Sequence, residues 1–263
     1  MRTRTYGLDR DTLNYANRIK SGSGTFLSNS SIKQINKFVV GIKRMGLWNS
    51  MVAWPMRSIH NAGTGSTVYS LGGLGVYNGT INNSIPWSYK GVGTTTNTAS
   101  ITFPTLTYIP NSFVGTFCFV GGYHSTSNQR AIGHNANAGG WMVSTFSANN
   151  SFSYFDTVSS ARIYAGSSIN NKDSLFFCGL SRYVAGNNSL YVSCPNTANY
   201  YYALDNTQKL LGITAATSYS YVSAGINSFF MHVNNINFSQ SEYLAVYTLL
   251  WKTLFNDNII KTT

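Results

Sequence analysis

FFMHVNNINFSQSEYLAVYTLLWKTLF, residues 229–255, reads as one buried strand, a short turn and a single apolar helix. Phe229, Met231 and Val233 alternate, the period of a strand with one face against a core. His232 falls on the other side of that alternation and is expected at the solvent face. Ser239-Gln240-Ser241-Glu242 has the form of a capping box, in which the serine hydroxyl accepts from the glutamate amide and the carboxylate reaches back. Tyr243, Val246, Tyr247, Leu250 and Leu254 then recur at helical spacing, with Leu249 and Trp251 widening the stripe. Glu242 and Lys252 are the only charges between Gln240 and Phe255, so a helix over 240–256 must be largely covered. Each large side chain buried there contributes roughly 1.5–3 kcal/mol before entropy is counted.

The N-terminal quarter is helical by pattern. Residues 1–10 form an extended arm, and Leu13, Ala16 and Ile19 support a short helix over Asp11 to Lys20, broken at Gly22-Ser23-Gly24. Ser31-x-x-Gln34 is a second capping box, followed by Ile32, Ile35, Phe38, Val39 and Ile42. Lys43 and Arg44 complement that helix's C-terminus, and Gly46 suits its C′ position. Leu47 to Trp54 is apolar enough for a third short helix or a plug, ended by Pro55.

Between these ends the period changes. Gly63 to Gly79 is glycine-rich and reads as a linker or irregular entry. Short alternating runs follow: Tyr77 to Ile81, Ala99 to Phe103, Phe113 to Val120, Gly140 to Phe146, Arg162 to Tyr164, Leu175 to Val184, Leu190 to Ser193, Tyr219 to Ala224 and Phe229 to Val233. Phe113, Phe117 and Phe119 share a face with Val114, Cys118 and Val120 behind, and Leu175 to Tyr183 is likewise apolar on both sides. Such strands belong in the centre of a sandwich, covered twice. The expected organisation is a basic, partly helical segment over 1–62, a linker over 63–75, and a mainly β sandwich over 76–263 closed by the helix at 240–256.

The chain has 263 residues, of which only 10% are charged, and a net charge of +11. That composition fits a β-rich, loop-rich fold with a polar, uncharged surface. Residues 1–60 carry +8 and the remaining 203 carry +3. A basic segment suits an acidic partner surface, or is simply a solvated face. No apolar run reaches about 18 residues, so no membrane span is expected, and MRTRTYGLDRDT has no apolar core of a secretory signal. Cys118, Cys178 and Cys194 lack metal spacing. A hairpin centred between Gly186 and Asn187 would set Cys178 opposite Pro195, beside Cys194; without export, buried free thiols are expected.

Several stretches resemble a known group. INKFVVGIKRMGLWNSMVAWPM (Ile35 to Met56) and LGGLGVYNGTINNSIPWSYKGV (Leu71 to Val92) resemble phage virion and prophage-encoded proteins. In those, a short helical segment ending in a G-[LI]-W turn precedes a concanavalin A-like sandwich of the laminin-G type. YNGTINNSIPWSYKGV resembles that fold's first hairpin, LFFCGLSRYVAGNNSLYV a later hairpin, and INFSQSEYLAVYTLLWKTL the closing strand and helix. The resemblance implies a concanavalin A-like jelly-roll sandwich with short N-terminal helices and one C-terminal helix, and a structural role in a phage particle. Every matching motif is structural, and none is catalytic.

Retaining glycosidases need two carboxylates about 5–5.5 Å apart. The single glutamate, Glu242, is committed to a cap, and Asp9, Asp11, Asp156, Asp173, Asp205 and Asp257 form no i, i+2 pair on an expected strand. Asp9 and Asp11 have the spacing but open a helix, where capping explains them. His60, His124, His134 and His232 show no metal spacing, and the Gly63-Thr64-Gly65 and Gly72-Gly73-Leu74-Gly75 runs lack the lysine and helix of a P-loop. Asp156 and Asp173 are too isolated for calcium. No catalytic residue, metal or cofactor is therefore expected.

Binding candidates remain. Trp87 with Tyr89, Trp141 in an Asn/Gly-rich loop, and Tyr200, Tyr201 and Tyr202 offer aromatic faces of the kind sugar sites use. Arg2, Arg4, Arg10, Arg18, Lys20, Lys33 and Lys37 are the expected docking bases. Bases and aromatics are segregated, which argues against nucleic acid as partner. Two functions follow as expectations. The first is a non-enzymatic, multi-copy virion protein, such as a capsid decoration subunit, docked on other virion proteins of the head or tail. The alternative is a carbohydrate-binding adhesin at a tail fibre or tail tip that recognises a host-surface glycan.

Overall fold

The computed structural model describes residues 7–82, 84–94 and 239–256 and the strands between them, with side chains for 7–82, 84–93, 101–104, 226–233 and 239–256. Helix α1 spans Arg10–Ser23 and α2 spans Asn29–Arg44; a 3-10 turn, Trp48–Ser50, leads into strand β1, Met51–Pro55. The expected third helix or plug is therefore a strand. MVAW is a continuous apolar run with no period of its own, and pairing with a distant strand decides its state.

Strands β2 to β14 follow as Thr67–Val68, Gly79–Asn82, Val92–Thr94, Ser100–Thr107, Gly115–Tyr123, Gln129–Gly133, Trp141–Phe146, Ser151–Asp156, Arg162–Ala165, Leu175–Tyr183, Asn188–Ser193, Tyr200–Leu204 and Ala216–Val222. Strand β15, Gly225–Asn234, and helix α3, Gln240–Thr253, complete the order. The stretch expected as a linker carries β2, with Val68, Tyr69 and Leu71 buried.

All pairings are antiparallel and fall into two sheets. A 7-stranded sheet runs β1-β15-β6-β11-β12-β13, with β4 also on β15; an 8-stranded sheet runs β10-β9-β8-β7-β14-β5-β3-β2. The β11–β12 register sets Cys178 opposite Val192 rather than Pro195, three positions from the expected pairing. Cys194 lies outside the described residues.

β1 and β15 are covered on both faces. Met51, Ala53, Phe229, Met231 and Val233 join Ile35, Phe38, Tyr243 and Leu250 in a helix-covered core, with Phe38 edge-on to Phe229 at 5.7 Å. The alternate residues meet the second sheet: Trp54 stacks on Phe230 at 5.1 Å and touches Phe103 of β5 at 4.5 Å. His232 lies on that inter-sheet side and is fully buried, not solvent-facing. Alternation identifies two faces but cannot say that the second is also covered.

The helix ends explain their bounds. Asp9 caps α1 by accepting from the Asp11 amide at 2.9 Å, which confirms capping as its role. The α2 cap is Ser28, accepting from the Ser31 amide at 3.1 Å, so the helix starts before the expected Ser31 box. Gly46 follows its end with positive φ. The α3 capping box forms as read: Ser239 N–H donates to Glu242 Oε2 at 2.7 Å and Glu242 N–H to Ser239 Oγ at 3.3 Å. Helices α2 and α3 approach closely at Gly41, where a Cβ would stand 2.4 Å from Leu249 Cδ1.

Candidate functional site

Trp87 lines an open cleft of about 560 Å³. One wall is the Gly63–Ser66 turn, the other Ile81 and Ser84–Trp87. The walls are joined by two hydrogen bonds, Trp87 Nε1–H to Gly65 O at 2.9 Å and Ile81 N–H to Ser66 O at 2.7 Å. Gly63 and Gly65 have φ of +70° and +68°, which only glycine adopts without strain, so the turn depends on the Gly-x-Gly spacing. Ser84 has φ +51° at the rim of the opposite wall, an uncommon state for a residue with a Cβ.

Two buried polar side chains fix these walls. Asn61 donates from Nδ2 to Pro55 O at 2.7 Å and Tyr69 O at 2.9 Å, and its Oδ1 accepts from the amides of Ala62 and Tyr69. It thereby closes the base of the 62–69 loop. Arg57 is wholly buried and donates from Nε to Tyr89 O and from Nη1 to Leu254 O, each at 2.7 Å. Ser58 N–H donates to Ser88 O at 2.9 Å beside it. The guanidinium also lies over the Phe255 ring at 5.3 Å. Neither Asn61 nor Arg57 was singled out from sequence; the Asn-Ala-Gly-Thr-Gly run was the one available signal, as an asparagine ahead of a tight turn.

His60, next to Asn61 in the chain, is fully buried. Its Nε2 is 2.8 Å from Gln34 Oε1 of α2, its carbonyl accepts from Tyr15 Oη of α1 at 2.9 Å, and its Nδ1 has no partner. Burial first, and the Arg57 charge second, push its pKa down to about 3, so the ring is neutral. Burial likewise raises the Tyr15 phenol.

A second cleft, of about 580 Å³, lies between Asp11, Lys43, Trp48, Asn49 and Gly72–Gly73. Its charges are paired with one another: Lys43 Nζ bridges Asp9 at 2.7 Å and Asp11 at 2.6 Å, 5.1 Å above the Trp48 ring. Burial alone would raise the Asp9 carboxyl; the Lys43 hydrogen bond and the Asp11 amide outweigh it and hold the pKa low.

The remaining sequence candidates are dispersed. Tyr89 is 40% exposed and does not line the cleft. Trp141 opens β8 opposite Asp156, four strands away from β3 in sheet order, or roughly 19 Å at about 4.8 Å per strand. Tyr200, Tyr201 and Tyr202 lie on β13, the terminal strand of the other sheet, opposite Val192, Tyr191 and Leu190. Among the docking bases, Arg10, Lys20, Lys33 and Lys37 are exposed, while Arg2 and Arg4 lie outside the described residues. Arg18 turns inward instead, donating to Ser70 O and to Asn78 Oδ1 at 3.4 Å. Among the described residues no group of three or more His, Cys, Asp or Glu is placed to hold a metal, and no helix is long and apolar enough to cross a membrane.

No protein-family model and no curated protein matches this chain. Solved structures do resemble it. The binding domain of botulinum neurotoxin DC in complex with SialylT aligns with a TM-score of 0.54 at 12% identity, over 77% of this chain and 52% of its own. The same domain in complex with rat synaptotagmin II gives 0.50 at 11% identity, over 77% and 52%. The chain thus spans about half the length of those domains. At such identities the likeness is one of fold.

Proposed function

We propose that this chain is a non-enzymatic recognition module that binds carbohydrate, with Trp87 at its site, on a concanavalin A-like jelly-roll sandwich. The observation that carries the reading is the Trp87 cleft: an aromatic ring, with Ile81, Ile85, Pro86 and Ser84 on its own wall, facing a turn of glycine, threonine and serine whose base is clamped by buried Asn61. Sugars present an apolar C–H face and a rim of hydroxyls, which such a surface matches. The fold likeness to neurotoxin binding domains supports the same class, since one of those was solved in complex with SialylT. In a phage setting, the module would serve as an adhesin at a tail fibre or tail tip, with a host-surface glycan as partner. Glycan-array binding by the purified chain tests this directly. The expected result is saturable binding that Trp87→Ala weakens at least tenfold in a chain that still unfolds cooperatively, at a melt lowered by the lost Gly65 bond and core packing; a folded protein that binds no glycan refutes it.

A second reading rests on a different observation. Lys33, Lys37 and Arg44 are exposed on α2, a helix with no acidic residue, and fall within about 40° of one another at 100° per residue. That stripe supports docking on an acidic protein face, as the resemblance to virion proteins implies, with a location in the assembled particle. Helices α1 and α2 belong to the core, so deleting residues 1–30 would unfold the chain rather than undock it. Charge reversal at Lys33 and Lys37 is the cleaner test: loss of incorporation into particles supports docking, and normal occupancy refutes it.

A further inference from the structure

We propose that the Trp87 cleft selects an uncharged sugar unit and discriminates against sialylated and other carboxylated glycans. This inference rests on the carbohydrate reading and narrows it. Among the described residues, none that lines the cleft carries a charge. Between Ser58 and Gln129, Lys90 is the single formally charged side chain, and it is not part of the lining. The nearest imidazole in sequence, His60, is buried and neutral, and the Arg57 guanidinium is held by the carbonyls of Tyr89 and Leu254. A carboxylate entering this cleft would lose hydration without meeting a cation among the described lining residues, which is unfavourable.

The lining suits neutral hydroxyls instead. Thr64, Ser66 and Ser84 each offer one donor and two acceptor sites, so they can pair with a hydroxyl in either role. The Trp87 N–H is already engaged by Gly65 O, which leaves the ring as an apolar platform and removes it as a donor to an anion. The positive φ of Ser84 places an uncommon backbone state at the rim, a feature that concentrates at binding sites.

The test is an array on which each neutral oligosaccharide is printed beside its sialylated form, with neutral and uronate-containing polysaccharides added. The expected result is at least a tenfold preference for the neutral member of a pair, lost in Trp87→Ala. Thr64→Lys, at an exposed wall position, should shift that preference toward the sialylated member without altering the melt. Preferential binding of sialylated glycans that still depends on Trp87 overturns this inference and leaves the carbohydrate reading intact. Binding that ignores both Trp87→Ala and Thr64→Lys also overturns it, by placing the site elsewhere. Absence of binding to any glycan overturns the carbohydrate reading itself, and this inference with it.

Discussion

Arg57 Nη1 donates to the carbonyl of Leu254 at 2.7 Å, joining residues 197 positions apart in the chain. Leu254 is the C-cap of α3, so a buried cation meets the carbonyl end of that helix, where the backbone dipole favours positive charge. The same guanidinium holds Tyr89 O, so one side chain ties the C-terminal helix to the turn that follows the cleft.

Arg57→Met should therefore be costly although it keeps the aliphatic stem. Two carbonyls lose a charged donor inside the protein, worth about 1.5–3 kcal/mol each before relaxation. A loss of about 3 kcal/mol in urea unfolding is expected, with Arg57→Lys intermediate because an ammonium cannot reproduce the fork. A variant as stable as wild type would mean that the bond does not tie the two segments.

Asn61→Ala removes four hydrogen bonds at the base of the 62–69 loop. The expected destabilisation is about 2–4 kcal/mol, accompanied by faster amide exchange at Ala62 and Tyr69. Unchanged exchange there would rule out Asn61 as the clamp of this wall.

Acid should loosen the docking of α1 and α2. His60 has a folded pKa near 3, below its unfolded value near 6.5, so the unfolded chain binds more protons between them. Its contribution is complete above about pH 6.5 and is lost as pH falls toward 3, at up to about 1.4 kcal/mol per pH unit. The groups around it are Arg57, Gln34 of α2 and Tyr15 of α1, whose phenol stays protonated. Asp9, with its lowered pKa, adds a loss of the same sign at lower pH. Urea midpoints across pH 4–8 should fall on acidification, and His60→Asn should flatten the upper part of that fall. An equally steep profile in the variant would exclude His60 as its source.

The C-terminal strand and helix could be read from sequence because their signals are local: a two-residue period, a capping box and a helical stripe in 27 residues. β1 could not, since its four apolar residues acquire a state only by pairing with β15, Met51 opposite Val233. His232 misleads for a related reason: its burial depends on residues outside its own strand, which alternation within the strand cannot reveal. Ser28 and Ser31 both suit a cap, and local geometry rather than residue type selects Ser28. At the site, Trp87 stands out as an aromatic among turn residues. Asn61 and Arg57 do not, because one asparagine and one arginine carry no periodicity, and their partners are backbone carbonyls that any sequence possesses.

The pairing of β1 with β15 also constrains how this chain matures on the ribosome. Strand Met51–Pro55 emerges about 170 residues ahead of the Gly225–Asn234 strand it must join. Translation at about 5–20 residues per second leaves roughly 10–30 s in which β1 lacks its partner strand, with only α2, the Leu71 bridge and β5 available to cover it in part. The nascent chain therefore passes through an interval with an adhesive apolar segment near its leading end, and chaperone occupancy at that segment should end when β15 has been synthesised.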